Sequence, residues 1–118
     1  MEIQIGEKKY ELVFGMKFIR KLDEMHTFKQ YGQEFGAGVE TAMTYIGLMN
    51  PTILVDIIKA ATSHLNQKPS NNDIENYIEA QASEGKMNDL FKNITEAMEE
   101  SVFLKEKLQN FKKLAKVK

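Results

Sequence analysis

Apolar and polar residues alternate at the start of the chain: Ile3 and Ile5, then Tyr10, Leu12 and Phe14, with the short polar segment Gly6-Glu7-Lys8-Lys9 between them. A period of two places those side chains on one face of a strand, so residues 2–14 predict a β-hairpin with one buried face. A lone two-stranded hairpin is marginal in water. Its apolar face therefore needs other elements to pack on.

After Gly15 the period lengthens. Phe18, Ile19, Leu22 and Met25 recur at three- and four-residue steps, which predicts an amphipathic helix of about ten residues. Residues 26–38 lose periodicity, carry Gly32, Gly36 and Gly38, and read as a structured loop holding the aromatics Phe28, Tyr31 and Phe35. A second helix is expected from Val39 to Met49 on a stripe of Val39, Ala42, Met43, Ile46 and Met49. Asn50-Pro51 ends it and starts a third helix, since Asn caps well and Pro suits the first helical position. That helix carries Ile53, Leu54, Ile57, Ile58, Ala61 and Leu65 and is the expected centre of the core. Ser70 and Asp73 form a capping-box-like start for a helix with Ile74, Tyr77 and Ile78. Past Gly85 another helix bears Met87, Leu90, Phe91, Ile94, Ala97 and Met98, and Leu104, Leu108, Phe111 and Leu114 mark a final lysine-rich one. The predicted architecture is α+β and predominantly helical, an N-terminal hairpin packed against five or six helices. Residues 1–100 are read as one domain and 101–118 as a basic C-terminal helix or tail.

Composition narrows what such a domain does. At 118 residues, 42% hydrophobic and 28% charged, the chain fits one ordinary globular core. It has no cysteine, so disulfides and thiolate metal sites are excluded. No basic and apolar leader opens the chain, and no apolar run reaches the ~18 residues of a membrane span. Residues 101–118 hold six lysines against Glu106 alone, or +5; with −1 overall, the first hundred residues carry −6. A nucleic-acid binder would be expected to carry its basic patch on the folded body.

No catalytic, cofactor or metal site is expected. The glycines fit neither dinucleotide nor phosphate-loop spacing. His26, near Asp23 and Glu24, reads as a surface or capping residue. Ser63 and His64 are neighbours on a helix and point apart. Glu96, Glu99 and Glu100 read as a solvated helix face. The methionines Met43, Met49, Met87 and Met98 fall on core faces. Phe28, Tyr31 and Phe35 read either as a protein interface or as a satellite core.

Four features in order, MEIQIGEKKYELVFGMKFIRKLDE, FGAGVETAM, NPTILVDIIKAAT and KPSNNDIENYIEA, resemble the tail assembly chaperones of long-tailed bacteriophages and prophages of Gram-positive bacteria. The resemblance covers about residues 1–100. It implies a non-enzymatic protein of the bacterial host cytoplasm that binds the tape-measure protein, keeps it soluble and helps recruit tail-tube subunits. It also implies a longer frameshifted product in many members, to which the ending FKKLAKVK would be suited. Self-association is expected because many weak contacts multiply over a long client. The candidate partner-binding residues are Phe28, Tyr31 and Phe35, with Leu104, Leu108 and Phe111 of the final helix. The competing reading is a small nucleic-acid-binding regulator with a helix-turn-helix-like core and a phosphate-binding lysine tail. Against it, the helix over 51–65 offers only Lys59 to a groove.

Overall fold

The computed structural model describes residues 1–117, with side chains through Leu114. Lys118 and the side chain of Lys116, both counted with the basic end, lie outside the described residues.

Strand β1 (Glu2–Ile5) pairs antiparallel with β2 (Lys8–Glu11), Ile3 opposite Tyr10. Gly6, at φ +64, supplies the left-handed first position of the two-residue turn, which most residues adopt only with strain. The pairing continues past the strands, because the Leu12 N–H donates to the Met1 carbonyl at 2.8 Å. Ile3, Tyr10, Leu12 and Phe14 are buried as the alternation predicts.

Helix α1 (Met16–Met25) buries Phe18 and Leu22. Phe14 meets Phe18 edge to face at 5.0 Å between ring centroids, joining the hairpin to the helix. The expected loop over 26–38 is instead a second hairpin, β3 (Thr27–Gln30) with β4 (Gln33–Gly36), Phe28 opposite Phe35. The molecule thus has two separate two-stranded sheets. Every residue of β3 and β4 is exposed, so no hydrophobic alternation marked these strands in the sequence.

Helix α2 (Gly38–Gly47) buries Val39, Ala42 and Met43. It stops before Met49, which was expected on the buried stripe. Met49 stands 48% exposed at φ +55, because the chain there is already turning toward Asn50-Pro51. Pro51, expected in the first helical position, stands instead at the cap of the next helix, and Asn50 braces that start from one residue further back: its Oδ1 accepts from the Thr52 N–H at 3.0 Å and from Thr52 Oγ1 at 2.7 Å. Helix α3 (Thr52–Ala61) buries Ile53, Leu54, Ile57, Ile58, Ala60 and Ala61, so it lies in the centre of the core. It ends four residues short of Leu65. The Thr62 and Ser63 hydroxyls donate to the Ile58 and Ala60 carbonyls at 2.8 and 2.7 Å, so both side chains are satisfied locally at the helix end, on carbonyls that also accept the Thr62 and Ser63 N–H groups.

Helix α4 (Asn71–Ser83) opens on the predicted capping box. The Asp73 N–H donates to Ser70 Oγ at 3.0 Å, and the Ser70 N–H donates to Asp73 Oδ2 at 3.1 Å. Helix α5 (Met87–Glu99) buries Leu90, Phe91, Ile94 and Met98. The chain then runs into α6 (Lys105–Val117); Leu104 just before it and Leu108 in its first turn join the same core. Ser101 Oγ donates to the Phe14 carbonyl and ties the approach to α6 to the end of the first hairpin. The architecture is α+β with six helices among the described residues, as the pattern of the sequence implied.

Two outcomes follow from this packing. Ile57→Ala, at a fully buried site on α3, is expected to lower unfolding stability by about 2–5 kcal/mol in urea titration. Tyr77 of α4 has its phenol pushed above the usual 10 by burial. The folded chain holds that proton more tightly than the unfolded one, so this contribution is intact below pH 10 and is lost as pH rises through the raised pKa. Tyr77→Phe should therefore make the alkaline fall in melting temperature shallower than in the native chain.

Candidate partner-binding surface

The second hairpin projects from the body on a tightly built base. A Cβ at Gly38 would stand 2.4 Å from the backbone carbon of Leu22, and one at Gly36 would stand 2.5 Å from the Cβ of Asp23. Only glycine lets α2 and β4 come this close to α1. Asp23 Oδ1 accepts the Gly38 N–H at 2.9 Å, and the Ala37 N–H donates to the His26 carbonyl at 2.8 Å. Beneath them His26 Nε2 lies 3.0 Å from Asp56 Oδ2 of α3. His26 is thus a strut between the start of the hairpin and the central helix, a role its sequence neighbours Asp23 and Glu24 did not suggest.

Beyond this base the hairpin has little to lean on. Phe28 and Phe35 stack on each other with centroids 5.5 Å apart and planes 26° from parallel, yet both stay about half exposed. Such a cross-strand pair adds about 0.5–1.5 kcal/mol beyond the area it buries. The turn residues Tyr31 and Gly32 both have positive φ, +53 and +75, as a type I′ turn requires. Asn or Asp is the usual choice at the first of these positions; here a tyrosine takes it, with its side chain 91% exposed. A strained backbone at an exposed aromatic costs folding free energy and returns no packing. At 91% exposure Tyr31 is no part of a satellite core.

The final helix divides differently from the expectation. Leu104 and Leu108 are 0% and 1% exposed, so in the folded chain they are core residues and offer a partner nothing. Phe111 is partly buried and, with exposed Leu114, lines a groove of about 160 Å³ between α6 and Val39 and Met43 of α2. Lys107 Nζ bridges this groove to Glu40 Oε2 at 2.7 Å, and Lys112 Nζ reaches Glu99 Oε1 at 2.6 Å. Two lysines of the basic end thus balance acids of the body.

A further apolar face escaped the sequence reading. Val13, Met16, Val102 and Phe103 are all exposed. They line adjoining grooves of about 270 and 320 Å³ that share Val13, Gly15 and Phe103. The available signal was weak: Val102-Phe103 is a pair of apolar residues in a connector, where polar ones are the rule. Ser63, beside this face, donates its hydroxyl to the Ala60 carbonyl at 2.7 Å. Among the described residues no three His, Asp or Glu side chains converge as metal ligands would, and no helix is long and apolar enough to cross a membrane.

What remains is a body with exposed apolar residues at its edges. Residues 2–113 match the family model described as "Phage tail assembly chaperone protein, TAC". The chain belongs to that family. No curated protein and no solved structure matches it. The match takes in both hairpins, the first five helices and most of α6, so the projecting hairpin is part of this tail assembly chaperone's family domain and not an appendage to it.

The base and the tip respond oppositely to substitution. Gly38→Ala should cost about 1–3 kcal/mol in chemical denaturation, because the new methyl meets backbone and cannot be accommodated by a rotamer change. Gly47→Ala faces open space and should be neutral or stabilising by up to about 1 kcal/mol. Tyr31→Asn relieves the turn and should slow amide exchange over residues 27–36.

Proposed function

We propose that this chain is the chaperone of a phage tape-measure protein in a Gram-positive host or prophage, acting in the host cytoplasm to keep its client soluble and to bring tail-tube subunits to it. Membership in the tail assembly chaperone family supports the general role. The finer assignment rests on one observation above all, the exposed aromatic hairpin tip at Tyr31. A tape-measure chain offers long apolar helical stripes, and a chaperone for it needs adaptable apolar contacts that are individually weak and collectively sufficient. Phe28, Tyr31 and Phe35 supply such contacts, with Phe111 at the α2–α6 groove as a second point of attachment. Leu104 and Leu108 act indirectly by seating α6.

The nucleic-acid reading loses its recognition element. Helix α3 turns its apolar residues into the core and exposes only Thr52 and Lys59, which leaves no face to enter a groove.

The test is co-expression of the chain with a phage tape-measure protein, scored by how much client stays soluble and is recovered in a pull-down. Tyr31→Asn is the informative variant, because it should hold or raise the hairpin's order while weakening capture by about tenfold, the equivalent of 1.4 kcal/mol. Equal capture by Tyr31→Asn and by a Phe28→Ala/Phe35→Ala variant would remove the hairpin from the client surface.

A further inference from the structure

Helix α1 carries its charges against its own dipole. Its first turn holds no acid and its last turn no base. Instead Lys17, Arg20 and Lys21 occupy the first two turns, and Asp23 and Glu24 follow at the C-terminal end. A helix N-terminus favours negative charge and a C-terminus positive charge, so this order is unfavourable within one chain. Asp23 has a local use, as acceptor for the Gly38 N–H. Arg20 makes no ion pair among the described residues, and Glu24 has only a long 3.7 Å contact to exposed Lys21.

The outward stripe of α1 is Met16, Ile19, Arg20, Asp23 and Glu24, spaced as one helix face, and it lines an open groove of about 370 Å³ bounded at its far end by Gly36 of β4. This groove shares Met16 with the apolar face around Val13 and Phe103. The stripe is therefore polar in two senses: apolar and basic toward its start, acidic toward its end.

We infer that this face is a docking surface for a second copy of the same chain, two α1 helices lying antiparallel about a two-fold axis near Leu22. That operation sets Arg20 of one copy beside Glu24 of the other, twice, and places each acidic helix end against the partner's basic beginning. It also opposes the two helix dipoles and lays the exposed Met16 of each copy toward the partner's groove beside Gly36. An isologous contact of this kind is self-complementary by symmetry. It is small, a single ten-residue helix per side, so it belongs with weak, transient interfaces and depends on salt. Paired copies would present two hairpins to one client, which gains by multivalency, but the pairing itself does not depend on what the client is.

Sedimentation equilibrium of the full chain tests this by charge reversal. The native chain should show a concentration-dependent dimer at 50 mM salt that weakens at least tenfold at 500 mM. Arg20→Glu and Glu24→Arg should each be monomeric alone, with native helicity by circular dichroism. Mixed one to one, they should form a heterodimer, because one copy then offers two acids and the other two bases. The double variant Arg20→Glu/Glu24→Arg should recover the homodimer. A native chain that stays monomeric at millimolar concentration overturns the proposal. So does a dimer that neither single reversal weakens, or a mixture of the two single variants that fails to pair.

Discussion

The burial of one short helix organises everything else in this molecule. Ile53, Leu54, Ile57, Ile58, Ala60 and Ala61 of α3 are all shut off from water, so the helix is apolar nearly all round and must be enclosed. A ten-residue helix has little stability of its own and holds its shape only inside such an enclosure. Helices α1, α2 and α4 supply the walls, and the Val13 N–H to Ala61 carbonyl bond, 2.9 Å long, ties the end of the first hairpin to the end of α3. His26 reaches the same helix through Asp56, so the base of the projecting hairpin is indexed to the core as well.

Enclosure of the centre explains why the surface is left with apolar residues. A chain of this length has enough apolar surface to fill one core, and what is not used there collects where elements meet: Val13 and Met16 at the start of α1, Val102 and Phe103 in the connector, Phe28, Tyr31 and Phe35 on the second hairpin. Scattered exposed hydrophobics need no explanation, but adjoining ones that line grooves do. In a member of a tail assembly chaperone family, contact with other proteins is the economical account of them.

The elements read most clearly from the sequence were those whose signal is local or whose apolar face is buried. The Asn50-Pro51 break, the Ser70-Asp73 box and the α3 stripe from Ile53 to Ala61 are found where the pattern placed them, whereas Leu65, assigned to the same stripe, lies beyond the helix end. Met49 was misplaced because periodicity continues past the point where the backbone stops being helical. The second hairpin was missed for a different reason: both its faces are wet, so period two never appears. Its mark was symmetry, with Phe28 three residues before Tyr31 and Phe35 three after Gly32. The stripe from Leu104 into α6 told that Leu104 and Leu108 face something apolar, without telling whether that is a partner or the chain's own interior. Packing decided for the interior.

The two hairpins share a topology and differ in what holds them. The first contributes four side chains to the core, whereas the strands of the second contribute none and are secured only at their base. Regions with few buried contacts open at a free-energy cost well below that of global unfolding. The two hairpins therefore have separate thermal limits in this chain: on warming, the second loses its shape while the first, and the body it helps to fill, are still intact.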